Sequence, residues 1–221
     1  MKPSVPTLLS FNGGYVDTAG FLTLQGLFTA HVTGNFVTLG AALVFGTTGI
    51  VAKLLALPVF CIVIIVTRFA SFNLPGKSWP ALETMLTLKL ILLIIGAVLA
   101  IWLGPFASGD GWPAILTGMT LVSAMAIQNA AHRVHLGTAP PSTLMTGTTT
   151  QIMIDIADAI RGLSAESRTV TMARMRRMSI AVASFAAGAA AAALLFGSIA
   201  TWCFAVPPVV ALVVRIRAKS V

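Results

Sequence analysis

The stretch Met178–Val214, MSIAVASFAAGAAAAALLFGSIATWCFAVPPVVALVV, carries no charged residue, and its length decides the fold. One helix needs about 20 residues to cross ~30 Å of hydrocarbon. The run is too long for one crossing and suits two short spans that turn near Gly197 and Ser198. Leu90–Gly109 and Gly111–Ala131 are further uncharged runs of spanning length. The whole chain is 57% hydrophobic and 9% charged, against roughly 25% charged in an average soluble domain. The composition predicts an all-α integral membrane protein with no water-soluble fold. Pro3, Pro6, Gly13, Gly14 and Asp17 interrupt any signal-peptide core near the start, so no cleavage is expected. Cys61 and Cys203 lie in apolar runs without metal-ligand spacing and read as small buried hydrophobes.

The formal charge of +8 is a topology signal, because cytoplasmic loops of membrane proteins collect Lys and Arg. Arg161, Arg168, Arg174, Arg176 and Arg177 crowd one connection, and Arg215, Arg217 and Lys219 crowd the tail; both are expected inside. Arg68 and Lys77 place the Asn73–Pro80 connection inside, Lys2 places the N-terminus inside, and Gly104–Pro113, with no Lys or Arg, goes outside. Lys53 is the one loop cation on the wrong side, and Lys89 falls within a span. About six crossings, three per half, satisfy this pattern. The halves are then upside down relative to each other, within one membrane domain over 1–221: repeat one is about 1–104 and repeat two about 112–221. The stretch Ala114–Ile160 is too long for one straight crossing and has to break or re-enter.

Two similar segments support the repeat independently. The first reads Asp17-Thr18-Ala19 and then Thr33-Gly34-Asn35; the second reads Asn129-Ala130-Ala131 and then Thr146-Gly147-Thr148. Each Thr-Gly opens a short helix, expected over Asn35–Phe45 and Thr148–Ile160. Gly137, Pro140 and Pro141 forbid a regular helix before the second one. Broken backbone at membrane depth is tolerated only where protein or a wet cavity satisfies its polar groups. Thr33 and Thr146 suit N-cap positions, and Gly34 and Gly147 admit close approach. Two half-helix N-termini facing each other near the midplane attract negative charge or carbonyl oxygen.

Gly14-Tyr15-Val16-Asp17-Thr18, Thr29-Ala30-His31-Val32-Thr33-Gly34-Asn35, Gln128-Asn129-Ala130 and Met145-Thr146-Gly147-Thr148 together resemble the YoaK family of bacterial membrane proteins, catalogued as domain of unknown function 1275. The resemblance extends over essentially the whole chain. It implies a bacterial inner-membrane location and no particular activity. One departure is Ala126, where family members often carry Gly.

Asp17 is the acidic residue of the first apolar segment, and a carboxylate at that depth must be paired, protonated or wet. It suits either proton coupling or a hydrogen-bonded helix break. His31 can bind a solute or titrate. Gln128, Asn129 and Arg133, with His132 and His135, add polar and cationic groups beside the second break, although Arg133 can also snorkel to the interface. The substrate-binding set read from the sequence is therefore His31, Thr33, Gly34, Asn35, Gln128, Asn129, Arg133, Thr146, Gly147 and Thr148, with Asp17 as the proton-coupling site. Asp158 and Arg161 suit a solvated pair, while Asp155 lies deeper. Ser184, Gly188 and Ala192 form a small-residue stripe for a homodimer or for internal packing.

Catalytic-metal spacing, a Gly-x-Ser-x-Gly motif, a phosphate loop and basic-aromatic interleaving are all absent from the sequence. The expectations are no enzyme, no cofactor, no metal and no nucleic acid; the partners are the lipid bilayer and a small solute. An inverted repeat with paired breaks fits a small secondary transporter of an anionic or acceptor-rich solute. A channel is the alternative. An intramembrane enzyme using Asp17 and His31 lacks a nucleophile, and a receptor leaves the breaks without a task.

Overall fold

The computed structural model describes residues 3–72, 81–162 and 164–219, and these form helices without a strand. In chain order they are α1 (Val5–Thr23), α2 (Asn35–Phe45), α3 (Ile50–Phe72), α4 (Ala81–Leu103), α5 (Trp112–His135), α6 (Met145–Arg161), α7 (Ala165–Ile199) and α8 (Val206–Ala218). Local chemistry sets the ends. The Ser4 side chain accepts the Thr7 N–H at the start of α1, prolines occupy the first turns of α1, α5 and α8, and Gly46, at φ 64°, ends α2 in the left-handed region. The turn between α7 and α8 is a 3-10 stretch, Ala200–Ala205, slightly later than expected. Nothing stops α7 at 197–198: Gly197 has open space around it, and the Ser198 hydroxyl donates back to the Leu194 carbonyl within the helix.

Four stretches among the described residues are long and apolar enough to cross a membrane: α3, α4, α5, and the continuous run through α7 and α8. α3 and α4 turn Ile62, Val66, Phe69, Ile91 and Ile95 outward, which suits lipid rather than water. The inner faces meet in one core that includes Tyr15, Leu27, Leu93, Leu121, Met125 and Phe204.

Helix pairing has a regular pattern. α1 packs on α7 and α8, whereas α5 packs on α3 and α4; α2 lies on α3 as α6 lies on α7; α4 meets α8 and α1 meets α5. Exchanging α1–α4 for α5–α8 returns the same set of pairs. The α1–α7 contact is backbone to backbone. A Cβ on Gly14 would lie 2.1 Å from the Phe185 carbonyl oxygen, and one on Gly188 would lie 2.0 Å from that of Phe11. Gly188 and the fully buried Ala192 thus use the small-residue stripe for packing inside the chain. Against α8, α1 runs antiparallel: Tyr15 donates to the Cys203 carbonyl, Asn12 to that of Pro207, and Arg217 to that of Pro3.

The start of α1 and the end of α8 therefore share one end of the bundle, together with the start of α4, where Arg215 donates to Thr87. At the opposite end the connections clip together around Asp110, whose carboxylate accepts the N–H group of Gly49 and those of Ile50, Val51 and Ala52 at the start of α3. Lys53, the cation that breaks the charge pattern, is spent here: its Nζ donates to the carbonyls of Gln25 and Thr48. Lys2, Lys77 and the Asn73–Pro80 connection lie outside the described residues.

Candidate functional site

The site begins with two places where the chain folds back on the helix it has just left. After α1 ends at Thr23, the loop returns two turns down the helix to Asp17. Oδ1 of Asp17 accepts the backbone N–H groups of Thr29 at 2.8 Å, Ala30 at 2.7 Å and His31 at 3.3 Å. After α5 ends at His135, the loop returns to Asn129, whose Oδ1 accepts the Thr143 hydroxyl at 2.6 Å. Each anchor stands the same distance before its helix end, about 9 Å at 1.5 Å per residue. Asp17 and Asn129 thus both hold a returning loop: the carboxylate takes three main-chain donors, whereas the amide takes one hydroxyl.

Both Thr-Gly motifs sit where short helices start, but the threonines do not cap them. Thr33 belongs to a 3-10 turn, Val32–Gly34, and α2 starts at Asn35. α6 already starts at Met145, so Thr146 is helical and lacks the extended backbone of a capping residue. Asn35 instead clasps the loop before it, its amide exchanging hydrogen bonds with the N–H and the carbonyl of Phe28 at 2.9 and 2.8 Å. Gly34 passes within 3.0 Å of the Phe28 ring at its notional Cβ.

A cavity of about 610 Å³ lies between the two loops and the walls of α3, α4 and α5. His31, Thr33, Asn129 and Arg133 line it, as do Thr67, Arg68, His132, His135 and Ser142. Two arginines and three histidines thus face a space with no Asp or Glu among its described lining residues. Arg68 and the run from His132 to His135 come from the C-terminal ends of α3 and α5, the end away from Asp110. Asp17 and Asn35 stand behind this wall and shape it. Thr146 and Gly147 are exposed, and Thr148 is buried with its hydroxyl on the Leu144 carbonyl; none of the three lines the cavity.

Two groups carry more than their sequence context announces. Lys89 is fully buried, and its Nζ donates to Gln128 Oε1 at 2.5 Å. Gln128 in turn donates through Nε2 to the Leu9 carbonyl and to Ser142 Oγ. An uninterrupted apolar helix signalled Lys89 only as an oddity, and nothing in the sequence pointed to Ser142. Asp155 is fully buried on α6 and accepts Arg174 of α7 at 2.6 and 2.9 Å, with Gln151 donating to it as well. Arg174 is helical, because α7 begins at Ala165 and takes up most of the basic stretch that the sequence reading treated as a connection. Asp158 and Arg161 are exposed. Among the described residues, no cluster of His, Cys, Asp or Glu could hold a metal ion.

An all-helical bundle with several membrane-length apolar helices is the build of a multi-pass membrane protein. The chain belongs to the family described as protein of unknown function (DUF1275), whose model matches residues 5–216. No curated protein and no solved structure matches it.

Proposed function

We propose that this protein is a small secondary transporter that carries an anionic or acceptor-rich solute across the bacterial inner membrane. The observation that carries the reading is the cavity, whose largely apolar wall carries Arg68, Arg133 and three histidines with no Asp or Glu among the described lining residues, and which is floored by two returning loops from opposite halves of the chain. Paired broken segments at a repeat interface are where transporters bind their solutes.

In this reading α1, α3, α4, α5, α7 and α8 make six crossings, α2 and α6 are half-helices, and the halves are inverted repeats. The exchange pattern of helix pairs and the matching anchors Asp17 and Asn129 support it. The cation-bearing end that holds both termini is cytoplasmic. The cavity, lined from the C-terminal ends of α3 and α5, then lies nearer the cytoplasmic face than the Asp110 clip does. Asp17 is the proton-coupling residue, and His31, Arg133 and Asn129 contact the solute.

A screen of purified protein against sodium salts of chloride, nitrate, phosphate and acetate, and against neutral solutes, tests the binding step. A ligand at about one hundred times its dissociation constant stabilises by roughly 2.7 kcal/mol. The reading expects thermal stabilisation by at least one anion and its loss in Arg133→Ala. Stabilisation by neutral solutes alone would point to a different cargo.

A further inference from the structure

Lys89 has no task in the reading above. It lies in α4 fully buried, and among the described residues its hydrogen-bond partner is Gln128. The polarity of this contact can be worked out from the next link. Gln128 also touches the Leu9 carbonyl at 3.0 Å. A carbonyl only accepts, so the Gln128 amide must present Nε2 to Leu9, and its oxygen is left facing Lys89. Lys89 is therefore the donor of the pair. The second Nε2 hydrogen goes to Ser142 Oγ at 3.1 Å. With its oxygen receiving that bond, the Ser142 hydroxyl hydrogen is the next donor in the chain, and Ser142 is a wall residue of the cavity. Among the described residues no protein acceptor takes that hydrogen.

We propose that Lys89, Gln128 and Ser142 form a one-way donor relay that selects an anionic oxygen, from a carboxylate or an oxyanion, at the cavity wall. The inference rests on the transport reading and adds the element that sets charge preference. Lys89 is a positioning residue behind the wall: as the donor to Gln128 Oε1 it fixes the amide so that Nε2 faces Ser142. Ser142 makes the contact. Among the described residues no Asp or Glu pairs with Lys89, so no carboxylate competes with Gln128 for its donor. Asn129 is polarised in the same sense next door: its amide nitrogen donates to the Met125 carbonyl, and its oxygen accepts from Thr143.

Acetate and its neutral isostere acetamide are the probes, titrated into the purified full chain in detergent with heat or thermal shift as the readout. The wild type is expected to prefer acetate. Ser142→Ala should weaken acetate about tenfold, the size of one hydrogen bond to a charged group, and acetamide, whose carbonyl accepts only a neutral hydrogen bond, by a smaller factor. Lys89→Met should move the acetate-to-acetamide ratio at least tenfold toward unity, and Lys89→Arg should restore most of it. If Lys89→Met does not fold, Ser142→Ala, which removes one hydroxyl at the wall, decides alone. Wild-type ratios in the variants that fold would overturn the relay while leaving the anion site in place. No acetate preference in the wild type would overturn the anionic reading itself, and the relay with it.

Discussion

Asp17 offers the sharpest separation of a structural from a coupling role, because its two natural replacements act differently on the loop it holds. One carboxylate oxygen takes the N–H groups of Thr29 and Ala30 at 2.8 and 2.7 Å, and that of His31 more weakly at 3.3 Å. Hydrogen bonds to a charged acceptor contribute about 1.5–3 kcal/mol each, so the two short ones together set a scale of about 3–6 kcal/mol for Asp17→Ala. Asp17→Asn keeps an oxygen in place and loses only the charge-assisted part, about 1–2 kcal/mol. Asn129 already does the equivalent work in the second half. Denaturant unfolding of the purified protein in detergent, followed by tryptophan fluorescence, reads both losses. If Asp17 also couples a proton, Asp17→Asn reconstituted in vesicles keeps solute exchange but loses accumulation driven by a pH gradient. Equal destabilisation by Ala and Asn, or none by either, would refute the anchoring argument. Loss of solute binding by a well-folded Asp17→Asn would refute the coupling assignment.

Gly188→Ala places a methyl 2.0 Å from the Phe11 carbonyl oxygen, so α1 and α7 must separate by more than an ångström; the expected cost is about 1–3 kcal/mol. Gly197→Ala, in open space on the same helix, should be neutral or gain up to ~1 kcal/mol in the same unfolding assay. Partial burial opposes the ionisation of Asp110, but four backbone N–H groups outweigh it and hold the carboxyl below its ordinary value. Its stabilisation is therefore full above about pH 3.9 and is lost as pH falls through the lower folded value. Asp110→Asn should flatten that acid limb of the melting profile, and an unchanged limb would count against the clip. For topology, an impermeant thiol reagent should label a cysteine at Ser108 in intact cells and one at Ser164 only after lysis; the opposite pattern contradicts the cytoplasmic assignment of the termini.

Much of the fold was legible because the bilayer allows few solutions. Uncharged runs of spanning length marked α4, α5 and the apolar run through α7 and α8, and the Thr-Gly segments marked the starts of α2 and α6. What the sequence could not convey was geometry that depends on side chains far apart in the chain. Thr33 and Thr146 have the right chemistry for caps, yet helix starts shift by a residue or two when a 3-10 turn or an earlier helical residue intervenes. Lys53 looked misplaced because its acceptors, Gln25 and Thr48, are backbone carbonyls that hydropathy does not register. Arg68 read only as a marker of sidedness, but it lines the same cavity as Arg133 because α3 packs against α5. Ser142 gave no signal, since a single serine beside two prolines is ordinary loop sequence.

The central claim is carriage of an anion by alternating access, and radiotracer counterflow in vesicles tests it most directly. The purified chain is reconstituted, vesicles are loaded with the anion that stabilises the protein most, and uptake of the labelled anion is timed with and without that internal load. The account predicts uptake that accelerates when the inside is loaded and that falls in Arg133→Ala. Flux indifferent to the internal load would identify a channel, and no flux above protein-free vesicles would contradict transport of that anion.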